Sequence, residues 1–188
     1  LAAPVAVHAQ VAETINDFSV DYTLTNKDKQ GHLRVIETID ITFDGLKHGI
    51  LRALPERYKG HSLQLKVGQI TSETGAPTSY TTYSQNGNTV LKIGDAQKTI
   101  AGRHVYKISY ELSNVMTFYD GYDEFYWNIN GTQWSQTFAK LHMRLHLPDG
   151  STLSANAPLC FTGSQGSTEK NCTIGEAPND PRALDAEL

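Results

Sequence analysis

Apolar and polar residues alternate with a period of two along most of the chain. Phe18, Val20, Tyr22 and Leu24 are separated by Ser19, Asp21 and Thr23. A turn-rich run follows at 26–31. Then Leu33, Val35, Ile39, Ile41 and Phe43 share one side of a long extended segment, and Arg34, Thr38, Asp40 and Thr42 the other. Strand side chains point alternately to opposite faces, so these two segments read as half-buried strands joined in a hairpin. Glu37 interrupts the apolar face. An unpaired buried carboxylate costs several kcal/mol, so it needs either a partner or a place near a sheet edge. Leu63, Leu65 and Val67 resume a strand. Residues 80–84 and 90–93 flank Gln85-Asn86-Gly87-Asn88, and Asn-Gly between extended runs is a hairpin signal. Residues 94–102 read as a loop. Tyr106, Ile108, Tyr110 and Leu112 alternate with Lys107, Ser109 and Glu111. Leu141, Met143, Leu145 and Leu147 alternate with His142, Arg144 and His146. Residues 152–161 predict one or two final strands. Residues 44–58 lack clean alternation and contain Pro55, so they read as a turn and an irregular crossing. The closest helical candidate, 132–141, has the wrong residues for a helix. About nine to eleven short strands without a helix predict an all-β fold, an antiparallel β-sandwich, with a β-barrel as the alternative.

Composition narrows this only a little. The 188 residues suit one domain, and a net charge of −4 offers no basic face for nucleic acid. Residues 1–10 read as the remnant of a secretory signal, since Val7-His8-Ala9 fits a small-x-Ala processing site, or as an ordinary lead-in. Residues 11–174 then form the sandwich. Residues 175–188, with Pro178 and Pro181 among acids and alanines, read as a linker towards a membrane segment outside the chain. Cys160 and Cys172 are the two cysteines. The Gly- and Ser-rich loop between them lets the sulfurs meet as a disulfide in an oxidising compartment; the alternative is a pair of reduced thiols.

The densest chemistry lies in Asp123-Glu124-Phe125-Tyr126-Trp127-Asn128-Ile129-Asn130-Gly131-Thr132-Gln133-Trp134, which holds both tryptophans. On a strand, Phe125, Trp127 and Ile129 point inward and Glu124, Tyr126 and Asn128 outward. Tyr119, Tyr122, Tyr126, Trp127 and Trp134 form either a core or a platform on which a sugar or peptide stacks. With Asp120, the acids Asp123 and Glu124 form a solvated turn or a hard-cation site. Gly131 reads as a turn. His48, Gly49, Arg52 and Pro55 read as structural, Gly49 allowing a close backbone approach and Arg52 pairing with Glu124 or Asp123. The row His142, Arg144 and His146 reads as a solvated face. There is no nucleophile elbow, dinucleotide fingerprint, phosphate loop or zinc signature, so no catalytic residue, metal or cofactor is expected.

Two blocks are similar to a known pattern. His48-Gly49-Ile50-Leu51-Arg52-Ala53-Leu54-Pro55 resembles His-Gly-hydrophobic-x-Arg-x-hydrophobic-Pro. The Asp123–Trp134 block resembles acidic-hydrophobic-Tyr-Trp-Asn-x-x-Gly-x-x-Trp. Both are marks of the predicted membrane protein family called domain of unknown function 2207 (DUF2207). The resemblance implies an extracytoplasmic β-rich domain of a bacterial membrane protein, tethered through helices outside this chain, with no established activity to carry over. The function expected is a non-catalytic interaction or ligand-binding module, its partner a protein or glycan at the cell envelope. The alternatives are a carbohydrate or peptidoglycan binder using Tyr126, Trp127 and Trp134, or an envelope hydrolase built on Asp123, Glu124 and His48.

Overall fold

The computed structural model describes residues 13–26, 28–155, 157–164 and 166–188. The proposed signal remnant lies outside them. All helical or extended elements among the described residues are strands: β1 Thr14–Thr25, β2 His32–Lys47, β3 Gly49–Pro55, β4 Arg57–Tyr58, β5 His61–Ser62, β6 Lys66–Ser72, β7 Tyr80–Gln85, β8 Asn88–Gly94, β9 Ile100–Ser113, β10 Met116–Tyr119, β11 Tyr122–Phe125, β12 Thr137–Phe138, β13 Leu141–His146, β14 Thr173–Ala177 and β15 Asp180–Glu187. Ten of these have five residues or more, in line with the expected number. The others are two- and four-residue pieces.

The larger sheet runs β14-β15-β13-β1-β2-β9-β6, with β12 also beside β1; the second layer is β3-β8-β7. Neither closes on itself, so the architecture is sandwich-like and not a barrel. The first hairpin forms as the alternation requires, with Leu24 opposite Leu33 and Phe18 opposite Ile39. Phe18, Tyr22, Leu33, Ile39, Tyr106 and Ile108 are all at or below 1% exposure. Burying each such side chain stabilises by about 1.5–3 kcal/mol. The second layer packs Ile50, Leu54, Leu91 and Ile93 onto them.

Four expectations are corrected. The sheet is mixed, because β1 runs parallel to both β12 and β13. Residues 49–55 are no irregular crossing but a regular strand paired with β8 from Gly49↔Gly94 to Pro55↔Asn88. Its inward row is Ile50, Arg52 and Leu54, and the arginine hid the period of two. The described residues of 152–161 form no strand; Leu153, Leu159 and Phe161 stay exposed there. Residues 175–188 are not a linker, since β15 pairs with β13 and buries Ala183, Leu184 and Ala186. Alanines cover the sheet there with little apolar bulk, so the segment looked polar.

Candidate functional site

The two layers meet at a buried polar knot. Glu37 on β2 is 0% exposed and Arg52 on β3 is 3% exposed. The guanidinium donates from Nε to Glu37 Oε2 at 2.7 Å and from Nη2 to Oε1 at 2.5 Å. Such a two-pronged pair is the strong form of the contact. Tyr110 Oη on β9 donates to Glu37 Oε1 at 2.6 Å. Nη1 of Arg52 donates to the carbonyls of Ala53 at 2.8 Å and Asn130 at 3.1 Å. Burial opposes the charge on Arg52, but adjacent Glu37 outweighs it and raises its pKa above the ordinary value. Burial, and then Glu37, push the Tyr110 hydroxyl well above its ordinary range.

The tryptophan block closes over this knot. Trp134 Nε1 donates to Asn130 O at 2.6 Å, and Tyr22 Oη donates to Ile129 O at 3.0 Å. Arg52 lies 5.2 Å from the Trp134 ring centroid and 5.8 Å from that of Phe18. Trp134 also meets Phe18 and Phe138 edge to face. A Cβ on Gly131, where φ is +79°, would come within 3.2 Å of Arg52 Nη1, so the turn there is fitted to the guanidinium. Trp134 is therefore half-buried and committed to the interior. The carboxylate that Arg52 finds is Glu37, not Asp123 or Glu124: the pairing expected from sequence is corrected, because Arg52 points into the sandwich and those acids lie on β11, paired with β10. Glu37's need for a partner is met by the same bond.

β11 covers only Tyr122–Phe125, and the chain beyond it is a loop. The alternation nonetheless persists: Phe125, Trp127 and Ile129 pack on the core, while Tyr126 and Asn128 are exposed. Trp127 sits between Tyr58, at 6.0 Å, and Phe125, stacked at 6.1 Å. What remains outside is the β10–β11 hairpin. Phe118, Tyr119, Tyr122 and Tyr126 are exposed by 38%, 44%, 58% and 58%. Tyr119 and Tyr122 stack with centroids 4.8 Å apart and planes 17° apart. Lys59, which sequence reasoning missed, donates to Glu124 Oε1 at 2.7 Å and Thr117 Oγ1 at 3.0 Å, and lies 5.9 Å from the Tyr119 centroid. The hydrogen bond to Glu124 raises its pKa. Beside the hairpin a cleft of about 360 Å³ is lined by residues including Tyr58, Lys59, His61, Asn114 and Phe118.

The other expected residues are scattered. His48 Nδ1 faces the carbonyls of Lys98 at 2.8 Å and Asp95 at 3.2 Å, and neither Asp123 nor Glu124 is among its partners. Gly49 and Gly94 cross so closely that a Cβ on Gly49 would fall 1.9 Å from the Ile93 carbonyl oxygen and one on Gly94 1.9 Å from that of His48, as the close approach at Gly49 anticipated. Cys160 and Cys172 form a disulfide, the chemistry of an oxidising compartment. The outward row on β13 is flanked by acids: Arg144 meets Asp185 at 2.7 Å, and His146 meets Asp21 at 3.2 Å. Among the described residues no three His, Cys, Asp or Glu side chains gather as a metal site. No helix there is long and apolar enough to cross a membrane.

No curated protein matches the chain in sequence. Among solved structures, it is similar to the M1 zinc metallopeptidase of Deinococcus radiodurans. The mutant bound to a Tyr-Ser-Ala substrate shares 11% identity at a TM-score of 0.46, over 95% of this chain and 39% of that one. The enzyme without the mutation shares 9% at 0.43, over the same shares of each chain. The chain thus spans about two fifths of those structures, and at such scores the likeness gives no basis for inferring chemistry. The family model for the N-terminal domain of the predicted membrane protein family DUF2207 matches residues 14–180. It spans both the Glu37–Arg52 knot and the Asp123–Trp134 block that closes over it, and the chain belongs to that family.

Proposed function

We propose that the chain is a non-catalytic, extracytoplasmic interaction domain of a bacterial membrane protein, tethered through a segment outside this chain. In this reading it presents the Tyr119–Tyr122–Tyr126 surface to a glycan of the cell envelope. One observation carries it: the hairpin and the residue that follows it hold a stacked tyrosine pair and two further aromatics outside the core, while both neighbouring tryptophans are drawn inward. Clustered exposed aromatic area marks interaction surfaces. A tyrosine ring offers an apolar face for the C–H side of a sugar and a hydroxyl for its polar rim. Lys59 and Glu124 stand beside it as donor and acceptor. The disulfide and the family's membrane description support the location.

Titration of the chain with soluble peptidoglycan fragments, followed by calorimetry, tests the reading. Tyr122→Ala and Tyr126→Ala are expected to weaken binding at least about tenfold, or 1.4 kcal/mol, with no change in melting temperature. Fragments that bind both variants as tightly as the parent, or that fail to bind the parent at all, defeat it.

A further inference from the structure

We infer that the outer edge of β7 is a strand-addition site through which two copies of this chain pair antiparallel, joining their second layers into one continuous sheet.

The backbone fixes which groups are free. Asn86 and Gly87, with φ of 51° and 72°, form the two-residue turn between β7 and β8. The pairing runs without slippage from Gln85↔Asn88 to Tyr80↔Ile93. Gly94 N donates to Ser79 O at 2.8 Å, so Ser79 and Gly94 are a hydrogen-bonded pair. Such pairs alternate along an antiparallel ladder. Thr81, Tyr83 and Gln85 therefore bond to β8, and the N–H and C=O of Tyr80, Thr82 and Ser84 point away from it. Among the described residues no hydrogen bond meets those outward groups, and all six residues of β7 are exposed.

An open strand edge invites another strand, and proteins blunt such edges with charges, prolines, bulges or brevity. The other edges of the two layers are blunted. β6 carries Lys66 and a register shift between Val67 and Ile70. β14 has a register shift at Glu176/Ala177, followed by Pro178. β3 ends in Pro55, and its Ala53 carbonyl is taken by Arg52. β7 has none of these devices. It lies in an 18-residue run, 74–91, without one charged side chain, in a protein that is 19% Asp, Glu, Lys and Arg.

The missing charge is what favours a second copy as occupant. The protein carries a net charge of −4, so two copies repel in general, but along this edge no like charges oppose one another. Antiparallel pairing about Thr82 is self-complementary. Thr82 meets Thr82 of the other copy, and Tyr80 meets Ser84, for about six inter-chain hydrogen bonds. On the opposite face Tyr83 meets Thr81, an aromatic and β-branched pair of the kind that stabilises sheets.

Sedimentation equilibrium of the chain across a concentration series tests this. The mass is expected to rise from 20.7 kDa towards twice that value. Thr82→Pro removes an outward N–H without touching the β8 ladder, and Thr82→Lys places two like charges face to face. Each is expected to weaken self-association at least about tenfold, with circular dichroism unchanged. A mass that stays at 20.7 kDa up to about 1 mM overturns the inference. So does dimerisation of Thr82→Lys at parental strength, or an edge that takes up an unrelated extended peptide while the chain itself remains monomeric.

Discussion

Arg52→Met removes the charge that holds Glu37 in the core. The carboxylate is fully buried and keeps only the Tyr110 hydroxyl as a donor. Breaking a buried ion pair from one side costs about 3–5 kcal/mol, because the remaining charge is left uncompensated. The loss is a large part of the roughly 5–15 kcal/mol by which a domain is stable. For a chain of this size it lowers the melting temperature by about 6–20 °C. Glu37→Leu leaves the guanidinium stranded and should cost a similar amount. The double variant removes both charges. Its residual penalties are the Tyr110 hydroxyl and the Ala53 carbonyl, each about 1–3 kcal/mol; the Asn130 carbonyl keeps Trp134 Nε1. The double variant should therefore lose less than the sum of the singles, by about 0.5–3 kcal/mol. Urea unfolding of the four proteins measures this cycle. Costs that add to within about 0.5 kcal/mol refute a coupled pair.

Other consequences are accessible by simpler assays. Burial raises Tyr106 to about 12, and burial with Glu37 raises Tyr22 and Tyr110. Stability should be intact below pH 10, then fall as the unfolded chain ionises and the folded chain does not. The slope is about 4 kcal/mol per pH unit for three tyrosines, and the tyrosinate absorbance of these three should appear with unfolding, not before it. The hydrogen bond from Arg144 holds the Asp185 carboxyl below its ordinary range. That contribution is present above about pH 4 and lost as pH falls through the folded value. Arg144→Gln should lower stability slightly at pH 7 and not at all at the acid end; an equal deficit at both, measured by denaturant titration, rejects the assignment. Gly49→Ala should cost at least about 3 kcal/mol, since the new methyl meets the Ile93 carbonyl at 1.9 Å. A thermal melt like the parent's contradicts that crossing.

Much of the fold is legible because alternation survives wherever the inward residues are large. β1, β2, β9 and β13 show it, and Glu37 announced itself as a polar residue on an apolar face. Legibility fails where an inward position is polar or small. Arg52 made β3 look irregular, and Ala183 and Ala186 made β15 look like a tether. It fails in the other direction at 152–161, where Leu153, Leu159 and Phe161 suggest a strand but remain outside. The choice of Glu37 over Glu124 as Arg52's partner could not be read, because periodicity gives the facing of each side chain but not the distance between strands. The same limit hid Lys59, which reaches the aromatic hairpin from a turn some sixty residues earlier. Of the two readings of the tryptophans, core or platform, the indoles take the first: Trp134 is held by Arg52 and Asn130, and Trp127 by Tyr58 and Phe125, which leaves the tyrosines to face solvent.

The division of labour between inward-turned tryptophans and exposed tyrosines is open to one direct measurement. Amide and aromatic NMR shifts are recorded while soluble peptidoglycan fragments are added. Saturable changes confined to Tyr119, Tyr122, Tyr126 and Lys59, with the Trp134 indole N–H unmoved, are the expected result. Shifts centred on Trp134, or no shift anywhere in the β10–β11 hairpin, contradict it.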